Sequence, residues 1–373
     1  MKRNKEFMPY ETDASQTRGC ALDVVLPTTI AEVKKVVASS KRVVPRGGGT
    51  GLSGGAVPQN CLDVVVDLSK INRIGEFDKD KNSIVVEAGV ILDDLQDFVE
   101  RYGLEFPVNP SSHAVATIGG MIATNAVGSR AVKYGRTSDW VKWVEIIDSH
   151  GEIYRKGVTE MSDYVGMEGI TGIIVRACLK LSPKKSRTAT LIEIGNFSEV
   201  VEIVKNLKRN SEVSMVEFID EIVSSGVGFG NGTHLIVEYE DGSGQLKDEE
   251  YQELLLKRDL MYPFVSSSDY FIIEDPKIMI DKFPALMEWL NVNKIPTFGH
   301  ISVGILHPCF RKGQEELIEE MMKFVKKIGG QISGEHGIGV LKKDFVEATD
   351  RKIIENVKRR TDPENKFNVG KII

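Results

Sequence analysis

The sequence lacks the marks of several classes of protein. Only four of its 373 residues are cysteines and no two form a Cys-x-x-Cys pair, so we expect neither a zinc finger nor an iron–sulfur ligand set. No apolar run approaches the roughly 18 residues that a membrane span needs. The 48 Lys and Arg residues nearly balance the 54 Asp and Glu residues without a basic block, which argues against nucleic-acid binding.

The N-terminal residues do not read as a secretory signal, so we expect none. Residues 9–13 read Pro-Tyr-Glu-Thr-Asp where an apolar core would be needed. We therefore expect reduced thiols and a cytoplasmic protein, with peripheral attachment to a membrane left open. A hydrophobic content of 41% and a charged content of 27% are typical of a folded globular chain, and the length predicts two domains.

Short β-branched runs alternate with amphipathic stretches along the first half of the chain. They predict strands over 23–26, 43–45, 63–67 and 83–87, helices over 30–39 and 92–102, and a hairpin turning at His150 and Gly151. A proline in the basic, polar stretch 181–185 indicates a linker. Beyond it we predict helices over 198–208, 245–260, 284–291 and 314–327 and a strand over 233–239. The predicted fold class is α+β, because the strands are too short and too irregularly connected for a doubly wound sheet.

Glycine, by contrast, is abundant and clustered. Residues 45–55 read Pro-Arg-Gly-Gly-Gly-Thr-Gly-Leu-Ser-Gly-Gly, and Gly49-x-Gly51-x-x-Gly54 matches the dinucleotide fingerprint. That fingerprint must open a helix, which Pro58 prevents, and a P-loop would need Gly-Lys-Ser/Thr. The remaining interpretations are a nest of backbone N–H groups for phosphate oxygens, which we favour, or a flexible surface linker.

Two further segments of small residues follow, at 109–128 and 166–174. Their Gly, Ala, Ser and Thr residues allow the backbone to approach a planar ligand closely and supply hydroxyl and amide hydrogen bonds. Three such segments fit a long ligand with a pyrophosphate and two ring systems.

These motifs resemble those of the FAD-linked oxidases of the vanillyl-alcohol-oxidase type, and within them the group of the glycolate oxidase flavin subunit and D-lactate dehydrogenase. The resemblance rests on residues that occur in that group in this order, at 45–58, 110–112, 116–120, 123–125, 133–137, 168–174, 334–339 and 362–371. It implies a two-subdomain PCMH-type FAD-binding domain over 1–183. An α+β cap domain, the C-terminal domain of FAD-linked oxidases, would follow over 184–373, with about 340–373 returning to the flavin domain.

The resemblance also implies which residues bind FAD, non-covalently because the loop has no histidine where the covalent members carry one. In the glycine loop they are Arg46, Gly47, Gly48, Gly49, Thr50, Gly51, Leu52 and Ser53. The second segment supplies Pro110, Ser111, Ser112, Thr117, Gly119, Gly120, Ala123, Thr124, Asn125 and Gly128. The third segment and the C-terminus supply Glu168, Gly169, Gly172, Ile173, Ile174 and Asn368.

Histidines in glycine-rich surroundings of the second half suggest a metal centre. His300 and His307 are seven apart, a separation that points them to opposite faces of a regular strand, so a bend at Gly304 would be needed to bring them together. Two imidazoles and a carboxylate with open positions suit a divalent metal. We predict His300, His307 and Glu335 as ligands of Zn²⁺ or Mn²⁺ and His336 as the free base, which the resemblance also implies. The alternative is that the histidines are hydrogen-bonded core residues.

The chain departs from the family pattern Gly-His-x-Gly-Asp-Gly-Asn-Leu-His-x-Asn at three positions. Val303 replaces the Asp, Ile305 the first Asn and Cys309 the last Asn. Because neighbours of metal ligands orient them, these differences bear on the affinity and identity of the metal. Cys309 is either a replacement ligand or a buried inert thiol.

Arg258 is the second predicted catalytic residue. It matches the position of the Arg that binds the substrate carboxylate in similar enzymes, and bidentate geometry favours Arg over Lys there. The alternative is a solvated helix charge, since charged residues adjoin it on both sides. Enzymes for longer diacids carry a Thr and a Lys after this Arg, where this chain has Tyr262 and Ile273, which argues against a diacid.

The function implied is FAD-dependent oxidation of a small D-2-hydroxy acid, D-lactate or glycolate, to the 2-oxo acid. No iron–sulfur motif is present, so a separate acceptor is expected: a quinone, a cytochrome, an electron-transfer flavoprotein or an iron–sulfur subunit. A homodimer is compatible with this interpretation. The alternatives are a non-catalytic flavin or assembly subunit of a larger oxidase complex and an FAD oxidoreductase for another alcohol.

Overall fold

The computed structural model describes residues 5–373, and its elements are those of an α+β protein, as predicted. The strands are β1 (Asp23–Val25), β2 (Val43–Arg46), β3 (Val64–Asp67), β4 (Ile74–Asp78), β5 (Ser83–Glu87), β6 (Leu104–Glu105), β7 (Val141–Ile147), β8 (Ile153–Gly157), β9 (Ile173–Lys180), β10 (Ser182–Pro183), β11 (Thr188–Ile194), β12 (Val213–Ile219), β13 (Thr233–Tyr239), β14 (Ile272–Ile273), β15 (Thr297–Gly299) and β16 (His307–Phe310). The helices are α1 (Ile30–Ser39), α2 (Leu92–Glu100), α3 (Ile118–Thr124), α4 (Ala131–Tyr134), α5 (Phe197–Leu207), α6 (Glu221–Val227), α7 (Asp248–Asp259), α8 (Met261–Ser267), α9 (Phe283–Val292), α10 (Glu315–Lys327) and α11 (Ala348–Thr361).

The first of two compact units, unit 1, takes the residues up to Ala126, Arg136–Lys184 and His336–Ile373. It contains a three-stranded parallel sheet in the order β1-β3-β2 and a five-stranded antiparallel sheet in the order β4-β5-β9-β7-β8. One apolar core packs α2 and α3 on the antiparallel sheet, and a second lies under α1. The glycine loop leaves the parallel sheet directly after β2.

Local sequence explains where the helices of unit 1 begin. The Thr29 hydroxyl accepts a hydrogen bond from the Glu32 N–H at the start of α1, and the Thr117 hydroxyl does the same for the Gly120 N–H at the start of α3. Such caps satisfy backbone donors that have no partner in the first turn. The predicted bounds of α1 are therefore those observed.

A disulfide between Cys20 and Cys61 corrects the expectation of reduced thiols for this pair. Backbone hydrogen bonds bring the two cysteines together: the Cys20 N–H donates to the Pro58 carbonyl (3.1 Å), and the Leu22 N–H donates to the Asp63 carbonyl (2.8 Å). The cysteines are 41 residues apart, and no local spacing pattern predicts their approach.

Unit 2 takes Val127–Gly135 and Lys185–Glu335. Its six-stranded antiparallel sheet has the order β11-β13-β12-β15-β16-β14. The predicted boundary at 183/184 did not anticipate that α4 belongs to unit 2. Two ion pairs attach this segment to unit 2: Arg130 pairs with buried Glu238 on β13 (2.8 Å), and Lys133 pairs with Glu240, the residue after β13 (2.7 Å).

Across the described range, from residue 5 onward, no helix is both long enough and apolar enough to span a membrane.

Candidate active site

The glycine loop of unit 1 keeps its backbone N–H groups available. None of the N–H groups of residues 48–54 donates a hydrogen bond to another residue of the described chain. The loop is held through its carbonyls instead: Gly49 O accepts from Ala14 N (3.0 Å) and Gly51 O from Ser15 N (3.1 Å). Gly49 (φ 66°) and Gly54 (φ 76°) are left-handed, a conformation that glycine adopts without steric cost.

The space beside this loop is open at one position and filled at another. A Cβ on Gly51 would meet no atom within 4 Å, whereas a Cβ on Gly48 would lie 2.1 Å from the Val115 carbonyl oxygen. The protein therefore packs against the loop at Gly48 and leaves it open at Gly51. Open space beside a row of N–H groups without partners is an anion nest. Buried Thr171 in the third segment also has a hydroxyl with no hydrogen-bond partner among the described residues, which is consistent with a polar ligand in this unit.

Several of the predicted FAD residues support the loops from within. Arg46 is buried and donates to the backbone carbonyls of Thr12 (2.9 Å) and Pro9 (3.2 Å), so its guanidinium holds the N-terminal segment beside the loop. A Cβ on Gly47 would lie 2.4 Å from the Thr117 hydroxyl, which places the glycine loop against the start of α3. Asn125 ends α3 in the left-handed conformation and accepts from the Ser138 N–H (2.9 Å).

The remaining predicted residues of the second segment lie around α3. Pro110, Ser111 and Ser112 precede it in a turn, and Gly119, Gly120, Ala123 and Thr124 lie within it. Gly128 is grouped with unit 2, apart from the other predicted FAD residues. In the third segment Gly172 lies just before β9, and Ile173 and Ile174 begin that strand.

Glu168 holds the segment that carries His336. Its buried carboxylate accepts hydrogen bonds from the N–H groups of Ile338 (2.6 Å) and Gly339 (2.9 Å). Burial raises the pKa of Glu168, and the two N–H donors oppose that effect. The Ser53 hydroxyl donates to the Gly337 carbonyl (2.9 Å), so the last residue of the predicted glycine-loop set also supports the chain next to His336.

Lys371 is a buried residue of this unit, and the sequence indicated it only as part of the C-terminal motif at 362–371. Its ammonium donates to the carbonyl of Gly55 (2.7 Å) and to the Asn368 side chain (2.8 Å), while Asn368 donates to the Glu168 carbonyl (2.6 Å). Gly169, next to Glu168, packs against Pro45, where a Cβ would lie 2.7 Å from the ring. The C-terminal segment thus fixes the end of the glycine loop.

In unit 2 the structure brings His300, His307 and Glu335 together. Their ligand atoms lie within 4.8 Å of one another. Glu335 Oε1 is 3.1 Å from His307 Nε2, and Glu335 Oε2 is 3.7 Å from His300 Nε2. Two ligands about 2.1 Å from one tetrahedral ion are about 3.4 Å apart, so these separations fit a divalent metal. With three protein ligands the ion would keep an open position, as catalytic zinc does.

Two turns create this cluster. His300 precedes a single 3₁₀ turn (Ile301–Val303), and left-handed Gly304 (φ 75°) reverses the chain so that His307 opens β16. This is the bend that the sequence argument required at Gly304. On the other side, the buried carboxylate of Asp275 accepts from the Glu335 N–H (2.6 Å) and fixes that ligand's backbone.

A residue that sequence reasoning missed completes the surroundings of His300. The Glu217 carboxylate lies against His300 Nδ1. It also accepts two hydrogen bonds from Arg258, one from Nε (2.6 Å) and one from Nη2 (3.3 Å). Burial opposes ionisation of Glu217, but the charges of Arg258 and His300 hold its pKa well below the usual range. The available signal was a carboxylate within the apolar run 213–219, where an unpaired charge would be costly.

Arg258 therefore has protein partners rather than the solvated position weighed as an alternative. Its side chain is 7% exposed, and Nη1 donates to Asp259 (3.0 Å) besides the two bonds to Glu217. Cys309 is fully buried, donates to the His307 carbonyl (3.2 Å) and is not among the clustered ligand atoms. Burial raises the pKa of its thiol, which disfavours the thiolate that a metal would need.

Comparison with known proteins identifies the class. Residues 21–157 match the FAD binding domain family, and residues 276–372 match the C-terminal domain of FAD-linked oxidases. The chain belongs to the FAD-linked oxidases and is an FAD-dependent oxidoreductase.

Relatives resemble the chain over most of its length. It is 30% identical to a D-lactate dehydrogenase of Anaerostipes hadrus, over 92% of this chain and 87% of that protein. It is 28% identical to the glycolate oxidase subunit GlcD of Bacillus subtilis (99% and 93%) and 26% identical to a D-2-hydroxyglutarate dehydrogenase of Stutzerimonas stutzeri (94% and 90%).

Proposed function

We propose that the chain oxidises a small D-2-hydroxy acid, D-lactate or glycolate, to the corresponding 2-oxo acid with non-covalently bound FAD. The observation that carries this proposal is the cluster of His300, His307 and Glu335 in a chain of the FAD-linked oxidase family. Relatives named for D-lactate and glycolate support the substrate class.

The reaction needs a group that binds the substrate oxygens and a group that accepts the hydroxyl proton. His300, His307 and Glu335 would hold a divalent cation, which supplies Lewis acidity at the hydroxyl and carboxylate oxygens of the substrate. His336, the residue after Glu335, takes the hydroxyl proton as general base. Bound FAD would supply the hydride acceptor for C2, so that one proton and one hydride leave the acid and the 2-oxo acid remains.

Electrons then leave the flavin for a separate acceptor, which we propose to be a quinone, a cytochrome, an electron-transfer flavoprotein or an iron–sulfur subunit. The chain offers no Cys-x-x-Cys pair for an iron–sulfur cluster of its own. Its buried free thiols, Cys178 and Cys309, do not form one either.

A second candidate is a flavin-binding assembly subunit without turnover. It is favoured by Val303, Ile305 and Cys309, which stand where the family pattern has polar residues that would orient metal ligands. In this case the chain would bind FAD but would oxidise no 2-hydroxy acid.

The test is the visible spectrum of the purified protein without oxygen. D-lactate, glycolate, L-lactate and D-2-hydroxyglutarate are added singly, with and without added Zn²⁺ or Mn²⁺. We expect the yellow flavin to bleach with D-lactate or glycolate and to keep its colour with L-lactate. Denaturation should release the flavin into solution, because the attachment is non-covalent.

Each other outcome contradicts a named part of the proposal. Bleaching by D-2-hydroxyglutarate alone would replace the small acid by a diacid. Bleaching by no acid, with metal restored, would favour the assembly subunit. A colourless protein that takes up no FAD would contradict both.

A further inference from the structure

Two buried carboxylates of unit 2, Glu217 and Glu238, each pair with an arginine. Glu217 on β12 accepts from Arg258, and Glu238 on the neighbouring strand β13 accepts from Arg130 Nε (2.8 Å) and Nη2 (3.0 Å). Each carboxylate therefore has a guanidinium that binds both of its oxygens. Both carboxylates are buried and lie on neighbouring strands of one sheet, which makes their difference informative.

The difference lies in the third partner. Glu238 receives further hydrogen bonds from the hydroxyls of Ser214 (2.7 Å) and Tyr251 (2.6 Å), and Arg187 Nε lies 3.6 Å from its Oε1. Glu217 instead faces Nδ1 of His300, whose other nitrogen faces Glu335. If position 217 needed only a carboxylate with all its hydrogen bonds made, hydroxyl groups could supply the remaining ones, as Ser214 and Tyr251 do for Glu238.

We propose that Glu217, held by Arg258, is a positioning residue that fixes the ring of His300 so that Nε2 is presented to a divalent cation. This rests on the metal site of the proposed function. With Nδ1–H donating to Glu217, the lone pair of His300 lies on Nε2, the nitrogen that faces Glu335. A carboxylate behind a metal-binding imidazole sets its tautomer and raises its basicity.

Arg258 has a defined part in this arrangement. Without the guanidinium, Glu217 would be a buried charge without its main partner. By binding both oxygens, Arg258 fixes the position of the Glu217 carboxylate behind the His300 ring. Arg258 then acts on the metal site through Glu217 and His300.

The experiment measures metal binding directly, independent of turnover. Full-length FAD-loaded protein is stripped with a chelator and titrated with Zn²⁺ against a chromogenic competitor, and then with Co²⁺, whose visible spectrum reports ligand geometry. We compare the wild type with Glu217→Gln and, as the matched control, Glu238→Gln. We expect about 10- to 100-fold weaker Zn²⁺ binding and a changed Co²⁺ spectrum for Glu217→Gln alone.

Arg258→Lys is the second variant, because it keeps the positive charge and should fold where Glu217→Gln does not. Zn²⁺ binding should weaken in this variant, and its Co²⁺ spectrum should change in the same way as that of Glu217→Gln. Unchanged Zn²⁺ affinity, together with a higher concentration of acid for half bleaching of the flavin, would identify Arg258 as a substrate clamp and overturn the proposal.

The remaining outcomes separate this proposal from the proposed function. If the wild type binds Zn²⁺ and Glu217→Gln binds it equally well, the positioning role is wrong and the metal site stands. If both Gln variants lose Zn²⁺ to the same extent, Glu217 supports the fold only. If the wild type binds neither ion, the metal part of the proposed function fails first, and the positioning role fails with it.

Discussion

The glycine loop of unit 1 and the histidine cluster of unit 2 differ in the chemical groups that they offer: backbone groups in the first and side chains in the second. The loop offers backbone N–H groups and works because side chains are missing, as at Gly51, where a Cβ would meet nothing. The cluster offers side chains held by other side chains, such as His300 against Glu217. Adding side-chain atoms should therefore impair the glycine loop, and removing polar side-chain atoms should impair the histidine cluster.

The largest effect should follow from removing the proton acceptor. In His336→Ala we expect turnover of the acid to fall about 10²- to 10⁴-fold, because no group remains to take the hydroxyl proton. Flavin content should be unchanged, since Ser53 and Glu168 hold the backbone around residue 336. His150→Ala, in the β7–β8 turn, is the control. Near-wild-type turnover of His336→Ala would show that His336 is not the general base.

The next effect concerns the covalent support of the loop. Replacing both Cys20 and Cys61 by Ser should lower the stability of unit 1 by about 4 kcal/mol, the chain-entropy value for a closed loop of this length. Thermal unfolding followed by flavin fluorescence measures this change. A reductant should lower the midpoint of the wild type to that of the double variant and leave the double variant unaffected. A reductant effect of equal size on both proteins would rule the disulfide out as its cause.

A pair of glycine variants sharpens the contrast inside the loop. Gly48→Ala should destabilise unit 1 by about 1–3 kcal/mol, because its Cβ would be forced against the Val115 carbonyl. Gly51→Ala should leave the unfolding midpoint of the FAD-free protein unchanged and weaken FAD binding, since its Cβ enters the open space at the N–H groups. Fluorescence titration of the stripped proteins with FAD gives both affinities. Equal FAD affinity in Gly51→Ala and the wild type would show that the nest does not lie there.

The last expected effect is a pH dependence from Lys371. Burial lowers the pKa of Lys371 to about 7, whereas the unfolded chain keeps its ordinary value. The folded state then binds fewer protons than the unfolded state above pH 7, so this group adds stability as the pH rises from about 7 towards 10. The midpoint of the wild type minus that of Lys371→Met should rise over that interval, whichever protein is the more stable at pH 7. A value that stays flat or falls would contradict the lowered pKa.

Sequence reasoning captured features that depend on local rules. The bounds of α1 follow from the Thr29 cap, and those of β13 from a β-branched run at 233–239. The three candidate ligands of the cluster, whose metal remains a prediction, were selected because residue type and a single bend, at Gly304, are sufficient to bring two of them together. The long helix predicted over 245–260 was shorter, and a second helix, α8, follows it.

The features that sequence reasoning did not predict depend on contacts between residues that lie far apart in the chain. Glu217 meets His300 because β12 pairs with β15, where Phe218 lies opposite Gly299, and no local pattern encodes that register. The attachment of α4 to unit 2 depends on Glu238 and Glu240, more than a hundred residues later in the chain. The Cys20–Cys61 bond likewise depends on how two loops meet.

The composition of unit 1 from the beginning, the middle and the end of the chain has a consequence for its synthesis. The N–H donors of Ile338 and Gly339, which satisfy the buried carboxylate of Glu168, are synthesised about 170 residues after it. A nascent chain that has not reached them cannot complete the surroundings of Glu168, and a buried charge without its donors is a costly state.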